Sequence, residues 1–472
     1  MSYVLTGNVR RQVRHSKSKG RNPPLAFSVT GIAFIIFAIV IALTGGSSRP
    51  DIVWLIVLRP VVVLCIITML LAGRPTWRSI APLPMLLGLF ALTIAIQLVP
   101  LPPILWQGLG GRSSYDAVER VLGGADRWHP LAIAPDRAWN SLVALLVPFG
   151  VIIGYALLNT RQRLMLLLPL LSIVAFSMIL GVAQIASGGT SPLYWYKVSG
   201  HGQMIGLLAN RNHQGALLAM TLPLLRAWMS LPSIDAKSAR ARGIFALFYG
   251  AIIVLYVLVL GSRAGLALTG LGIVAAFLVR PTLGPKLSRR RRWLIAAGLA
   301  MGIILILGLA LNTDRAVTLG RISSDDLSTE GRLAALPTLL HIIHDTFPWG
   351  TGFGSFVGVY TTYEPDLLLK PTYFNNAHND LIELAITGGA PALAVFLCFI
   401  AWWAKSSWRS IFSTEDVSWA TIKRSAFFST LILLIASLVD YPLRTPLLGA
   451  VFTLLCCWLA QPPALGISQD DG

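Results

Sequence analysis

The sequence predicts an all-α fold, a polytopic integral membrane protein with about twelve transmembrane helices. Three observations lead there. Of the 472 residues 55% are hydrophobic and only 12% charged, a balance from which no water-soluble surface can be built. The apolar residues gather into stretches of about 20, the length a helix needs to cross roughly 30 Å of hydrocarbon. The lysines and arginines gather between alternate stretches, as they do in proteins that hold them on the cytoplasmic side during insertion.

The expected spans fall near 25–46, 52–73, 81–101, 139–158, 163–187 and 206–228, then near 243–261, 264–281, 293–311, 381–403, 425–441 and 446–462. Starting inside, the cytoplasmic segments carry Arg10, Arg11, Arg14, Lys17, Lys19 and Arg21, then Arg74 and Arg78, then Arg161 and Arg163. Arg226, Lys237, Arg240 and Arg242 follow, then Arg280, Lys286 and Arg289 to Arg292, and finally Lys405, Arg409, Lys423 and Arg424. These six segments hold 24 of the 38 basic residues. In the opposite loop, Arg112, Arg120, Arg127 and Arg137 are matched by Asp116, Glu119, Asp126 and Asp136. Both termini are therefore expected in the cytoplasm. Residues 1–24 read as a basic tail without a cleavable signal, 25–463 as one transmembrane domain, and 464–472 as a second cytoplasmic tail.

The net charge of +18 is accounted for by this topology, and no nucleic-acid partner is expected. The basic tail and Arg289 to Arg292 read as contacts to anionic membrane lipids, each charge contributing roughly 1 kcal/mol near the surface. Cys65, Cys398, Cys456 and Cys457 all lie in apolar runs and read as small core hydrophobes, with neither disulfide nor metal-ligand spacing.

Two extracytoplasmic loops are long, 102–138 and about 312–380. The second carries a helix-compatible stretch from Leu333 to Thr346, followed by Gly350, Gly352 and Gly354, and reads as a partly ordered cap. The topology gathers polar groups at that surface: Arg59, the run Asn210-Arg211-Asn212-His213, Arg263, Arg332, His378, Asn379, Asp380, Asp440 and Arg444. An arginine at bilayer depth costs about 2.5–3.5 kcal/mol on insertion scales, so such residues face a cavity, a partner or a pathway. Arg263 sits in a short hairpin, where its plain reading is an interfacial anchor. His378 opens the tenth span at a helix start, where an imidazole is a weak base unless a carboxylate offsets the positive helix end. Asp380 and Glu383 are the local candidates for that carboxylate.

Arg263 in GSRAGL, Arg332 in GRLAAL, PWGTGFGSF at 348–356 and HNDLIELAITGGAPAL at 378–393 follow one another in an order that resembles the O-antigen ligase and polymerase superfamily. ANRNHQGALLAM at 209–220 and LVDYPLRTP at 438–446 extend the resemblance over roughly 200–445. The resemblance implies a GT-C-like membrane glycosyltransferase. It would move a glycan from undecaprenyl diphosphate to an acceptor hydroxyl at the periplasmic face, in surface polysaccharide biosynthesis. The acceptor would be lipid A-core in a ligase, or another lipid-linked repeat in an O-antigen or exopolysaccharide polymerase. The family's paired arginines and histidine correspond to Arg263, Arg332 and His378, with Arg321 and Arg315 as alternatives to Arg332. Its histidine motif, a His followed by Asn, Ser or Gln and then a glycine about ten residues on, is met by His378, Asn379 and Gly389.

The chemistry suits those residue types. Fixed guanidinium groups bind phosphate oxygens bidentately and stabilise a diphosphate leaving group as its charge develops. A neutral imidazole is matched to take the acceptor hydroxyl's proton. Arg211, Arg59, Asn379, Asp380 and Arg444 are further candidates for contacts to the diphosphate or the acceptor. His341 and His344 stand one helical turn apart with Asp345 beside them. Because two arginines already supply the charge a metal would, their ordinary reading is polar residues on an amphipathic loop helix. No metal or other cofactor is expected in the reaction. Two other classes compete: a transporter, which would place ionisable groups near the bilayer midplane on broken helices, and a non-catalytic component of polysaccharide assembly.

Overall fold

The computed structural model describes residues 28–231, 235–279, 327–369, 374–412 and 417–462. Among them the chain is almost wholly helical, with one short antiparallel ladder pairing Pro100–Leu101 with His129–Pro130. The helices are α1 (Val29–Thr44), α2 (Leu55–Ala72), α3 (Pro82–Gln97), α4 (Pro103–Gln107), α5 (Ser113–Val121), α6 (Pro135–Ala144), α7 (Leu146–Leu157), α8 (Thr160–Met165) and α9 (Leu167–Ala186). There follow α10 (Arg211–Met229), α11 (Ala236–Leu260), α12 (Arg263–Leu278), α13 (Leu327–Thr346), α14 (Phe356–Tyr363), α15 (Asp380–Phe412), α16 (Val417–Ala436) and α17 (Pro446–Ala460).

Six helical segments are long and apolar enough to cross a membrane: Leu55–Ala72, Pro135–Leu157, Thr160–Ala186, Ala236–Leu260, Asp380–Ile411 and Ser418–Ala436. Val29–Thr44, Pro82–Gln97, Arg263–Leu278 and Pro446–Ala460 are shorter apolar helices. This is a polytopic all-α membrane protein, and the described residues do not reach the twelve spans expected. The span expected at 293–311 lies outside them, as do both tails.

The span expected at 206–228 departs from the pattern in an informative way. Asn210 caps Asn212 N–H, so the helix starts only at Arg211. Its polar first turn and Arg226 dilute its hydropathy, yet α10 is buried along almost its whole length. It packs against α9, α11, α12 and α16. Small residues let the backbones close: a Cβ on Gly215 would meet the Gly265 Cα at 2.7 Å, the close approach that holds helices together where lipid supplies no hydrophobic drive. By contrast α11 exposes Ile244, Leu247, Phe248, Leu255 and Val259 on its outward side. A row of bare apolar side chains at helical spacing is a lipid-facing surface.

The segment 327–369 folds into helices with a core of their own. Ala335, Leu339 and Ile342 of α13 pack with Phe356, Val359 and Tyr360 of α14 and with Ala377 and Ile386. Between α13 and α14, the glycine-rich turn is bonded to α15 like an added strand, with Thr351 N–H donating to Ile386 O, Gly352 N–H to Thr387 O, and Ala390 N–H to Pro348 O at 2.7–2.9 Å. Carbonyls of α15 are free to accept because Gly389, at φ 60° and ψ −158°, breaks the helix there. Gln97 of α3 ties the same turn from the other side, donating to Thr387 O and accepting from Phe353 N–H, each at 3.0 Å. Arg112 completes the fastening. It is fully buried and donates to the carbonyls of Gly110, Leu131 and Gly350, and burial pushes its guanidinium down to about 10.

Candidate functional site

Four chain segments converge on the buried carboxylate of Asp440, in the connection between α16 and α17. His378 Nδ1 lies 3.4 Å from Asp440 Oδ1. His213 Nε2, from the first turn of α10, lies 3.8 Å from the same oxygen. Asn212 Nδ2 donates to Asp440 Oδ2 at 2.9 Å, and Tyr441 N–H donates to Oδ1 at 3.0 Å. Ser262 Oγ, one residue before Arg263, donates to Asn212 Oδ1 at 2.8 Å while accepting from Gly265 N–H as the cap of α12. The chain Ser262–Asn212–Asp440–His378 therefore joins the hairpin of Arg263 to the candidate base.

Burial works to raise the Asp440 carboxyl, but hydrogen bonding and charge from His213 and His378 outweigh it and hold it well below the usual carboxylate range. An ionised carboxylate on the Nδ1 side favours the tautomer with the proton there, leaving Nε2 as the base. Nδ1 of His378 is buried, while 17% of its side chain stays exposed. Its ring is walled by Phe374 edge-on at 5.6 Å and by Tyr441 at 5.0 Å. At φ 51°, His378 alone among the described residues other than glycine has positive φ, a conformation that surrounding contacts must enforce. Those contacts are visible: Asn379 Nδ2 donates to Leu438 O at 2.9 Å, and Asp380 N–H donates to Ser437 O at 2.8 Å. Asn379 Oδ1 in turn caps Leu381 and Ile382 N–H.

The carboxylate facing His378 is thus Asp440, and not the neighbouring Asp380 or Glu383. Those two are taken by Arg444, whose Nε donates to Asp380 Oδ1 at 2.7 Å and whose second nitrogen bonds Glu383 Oε1. Glu383 Oε2 also accepts from Ala377 N–H at 2.8 Å. Arg444 and Asp380, expected at the substrate, are bonded to each other and fasten the start of α15 to the 437–445 connection. A carboxylate and its orienting partner some sixty residues apart in sequence leave no local pattern to read. The only available signal was an aspartate and a histidine in polar runs at the same membrane surface.

The remaining candidates divide. Arg263 opens α12 with an exposed side chain, one residue from the Ser262 link. Arg211, half-buried at the start of α10, adjoins Asn212. Arg59 lies inside α2, bonds the Asn140 side chain, and lines a small, largely apolar cleft with Leu55, Val62, Val147 and Pro446. Arg332 belongs to the first half of α13; its side chain, and Arg315 and Arg321 altogether, lie outside the described residues. Another small cleft reaches Asn212, His213 and Asp440 between α10, α12 and α16.

No curated protein matches this chain. Residues 246–397 match the family model described as O-antigen ligase, a stretch that runs from α11 into α15 and contains Arg263, Arg332 and His378. Over that stretch, about a third of the chain, the protein is similar to the O-antigen ligase superfamily.

Proposed function

We propose that the protein transfers a glycan from undecaprenyl diphosphate to a sugar hydroxyl of lipid A-core or of a growing polysaccharide, at the periplasmic face of the bacterial inner membrane. The observation that carries this reading is the His378–Asp440 pair, an imidazole on a left-handed backbone backed by a buried carboxylate and linked through Asn212 and Ser262 to the hairpin of Arg263. His378 takes the acceptor proton as the hydroxyl attacks the anomeric carbon. Asp440 stabilises the imidazolium that forms. Arg263 and Arg332 bind the departing diphosphate and neutralise its growing charge, which makes the transfer independent of a metal. Arg211 and Arg59 are further cations for the donor. A direct displacement of this kind inverts the anomeric configuration, and a product with retained configuration would refute it.

The test is release of undecaprenyl diphosphate from a lipid-linked glycan by detergent-purified protein, with wild type compared to His378→Asn and Arg263→Ala, with and without lipid A-core. Release that needs His378 and lipid A-core identifies a ligase. Release with glycan elongation and no core identifies a polymerase of the same superfamily. No release with either acceptor rejects the reading and favours transport or a role in assembly.

A further inference from the structure

We propose that His341, His344 and Asp345 form a binding site for a first-row divalent transition metal ion of the zinc class, separate from the His378–Asp440 group. In sequence the ordinary reading of these residues is the polar face of a loop helix; their geometry goes further. The buried stripe of α13 is Ala335, Leu339, Ile342 and Thr346. At 100° per residue, His341, His344 and Asp345 fall together on the remaining arc, and both imidazoles are well exposed, 63% and 85%.

One donor atom from each residue lies within 4.8 Å of the other two. His344 Nδ1 stands 3.1 Å from Asp345 Oδ1, and His341 Nε2 stands 3.6 Å from Asp345 Oδ2. Ligands about 2.0–2.1 Å from a tetrahedral zinc ion are separated by roughly 3.4 Å, and the two histidine–carboxylate spacings lie on either side of that value. Two imidazoles and a carboxylate are the donors that such ions prefer, and they leave a fourth position to water.

Three features prepare the site. Asp345 Oδ2 accepts from Tyr363 Oη at 3.1 Å, an outer contact that orients the carboxylate. The His341 ring is steadied edge-on against Tyr363 at 5.6 Å. The hydrogen-bond contact between His344 Nδ1 and Asp345 Oδ1 at 3.1 Å holds the imidazole and the carboxylate facing each other. All three residues also sit in the last turns of α13 (Leu327–Thr346), where the helix dipole favours a cation. A bound ion would clamp the end of α13, whose Asp345 carbonyl lies hard against Gly110 of the 98–134 connection.

Calorimetric titration of the detergent-purified full chain with Zn²⁺ tests this, run in parallel on wild type, His341→Ala/His344→Ala and Asp345→Asn. Wild type is expected to bind one more Zn²⁺ per chain than the double histidine variant, and Asp345→Asn to weaken that added site at least about tenfold. Tyr363→Phe, which removes no ligand, is expected to weaken it by about tenfold. Mg²⁺ in excess leaves the binding unchanged, because that ion prefers oxygen donors. Equal Zn²⁺ stoichiometry and affinity in wild type and the double variant, with both folded by thermal unfolding, would overturn the proposal.

Discussion

Substituting Gly389 by alanine should unlatch the glycine-rich turn from α15. The glycine stands at φ 60° and ψ −158°, a region essentially closed to residues with a Cβ and worth about 1–3 kcal/mol of strain. Steric contact adds to this: the new Cβ would lie 2.2 Å from Pro348 O and 2.6 Å from Trp349 C, both backbone atoms. The turn would have to retreat, stretching the bonds from Ala390 N–H to Pro348 O and from Gly352 N–H to Thr387 O, each contributing about 1 kcal/mol. Together these predict a loss of roughly 3–5 kcal/mol. Because the turn packs against the helix that His378 precedes, transferase turnover should fall with it. Thermal unfolding of the detergent-purified variant reads the effect, with Gly88→Ala as control. Gly88 lies inside α3 with nothing within 4 Å of an added Cβ, so there alanine should be neutral or stabilise by about 0.5–1 kcal/mol. An unchanged midpoint for Gly389→Ala, or an equal loss in both variants, would refute the reasoning.

Asp440→Asn should lower transfer by about 10²–10⁴-fold, the scale of positioned proton transfer, and change the pH profile more than the donor KM, which steady-state kinetics across pH will show. The same carboxyl is depressed in the folded state, so its stabilising contribution is full above about pH 4 and is lost as pH falls below that. The acid limb of the unfolding midpoint should therefore be shallower in Asp440→Asn than in wild type. Arg112→Met strips the carbonyls of Gly110, Leu131 and Gly350 of their donor and should cost about 2–4 kcal/mol, seen as a lower unfolding midpoint and faster proteolysis of 98–134. Arg444→Leu leaves Asp380 and the buried Glu383 without their cation and should destabilise strongly, by about 3 kcal/mol. Arg211→Leu, which breaks no ion pair among the described residues, should leave the midpoint in place and raise the donor KM.

The sequence by itself determined the class of the protein. Apolar runs of bilayer length and basic residues in alternate gaps announce a polytopic helical membrane protein, because hydrocarbon admits only segments that satisfy their own backbone. The resemblance to the O-antigen ligase and polymerase superfamily picked out His378 with Asn379 and Gly389, and the φ of Gly389 shows what a glycine does there. The sequence did not determine that α10 is the buried centre of the bundle, since its polar first turn makes it less hydrophobic than the lipid-facing α11. Only tertiary structure decided the partners. Arg444 went to Asp380 and Glu383 instead of standing free, and Asp440 came to His378 and His213 from distant parts of the chain. The physical reason is that a buried charge must find its counter-charge in space, and helix packing, which brings residues together without regard to their separation in sequence, selects which one it finds.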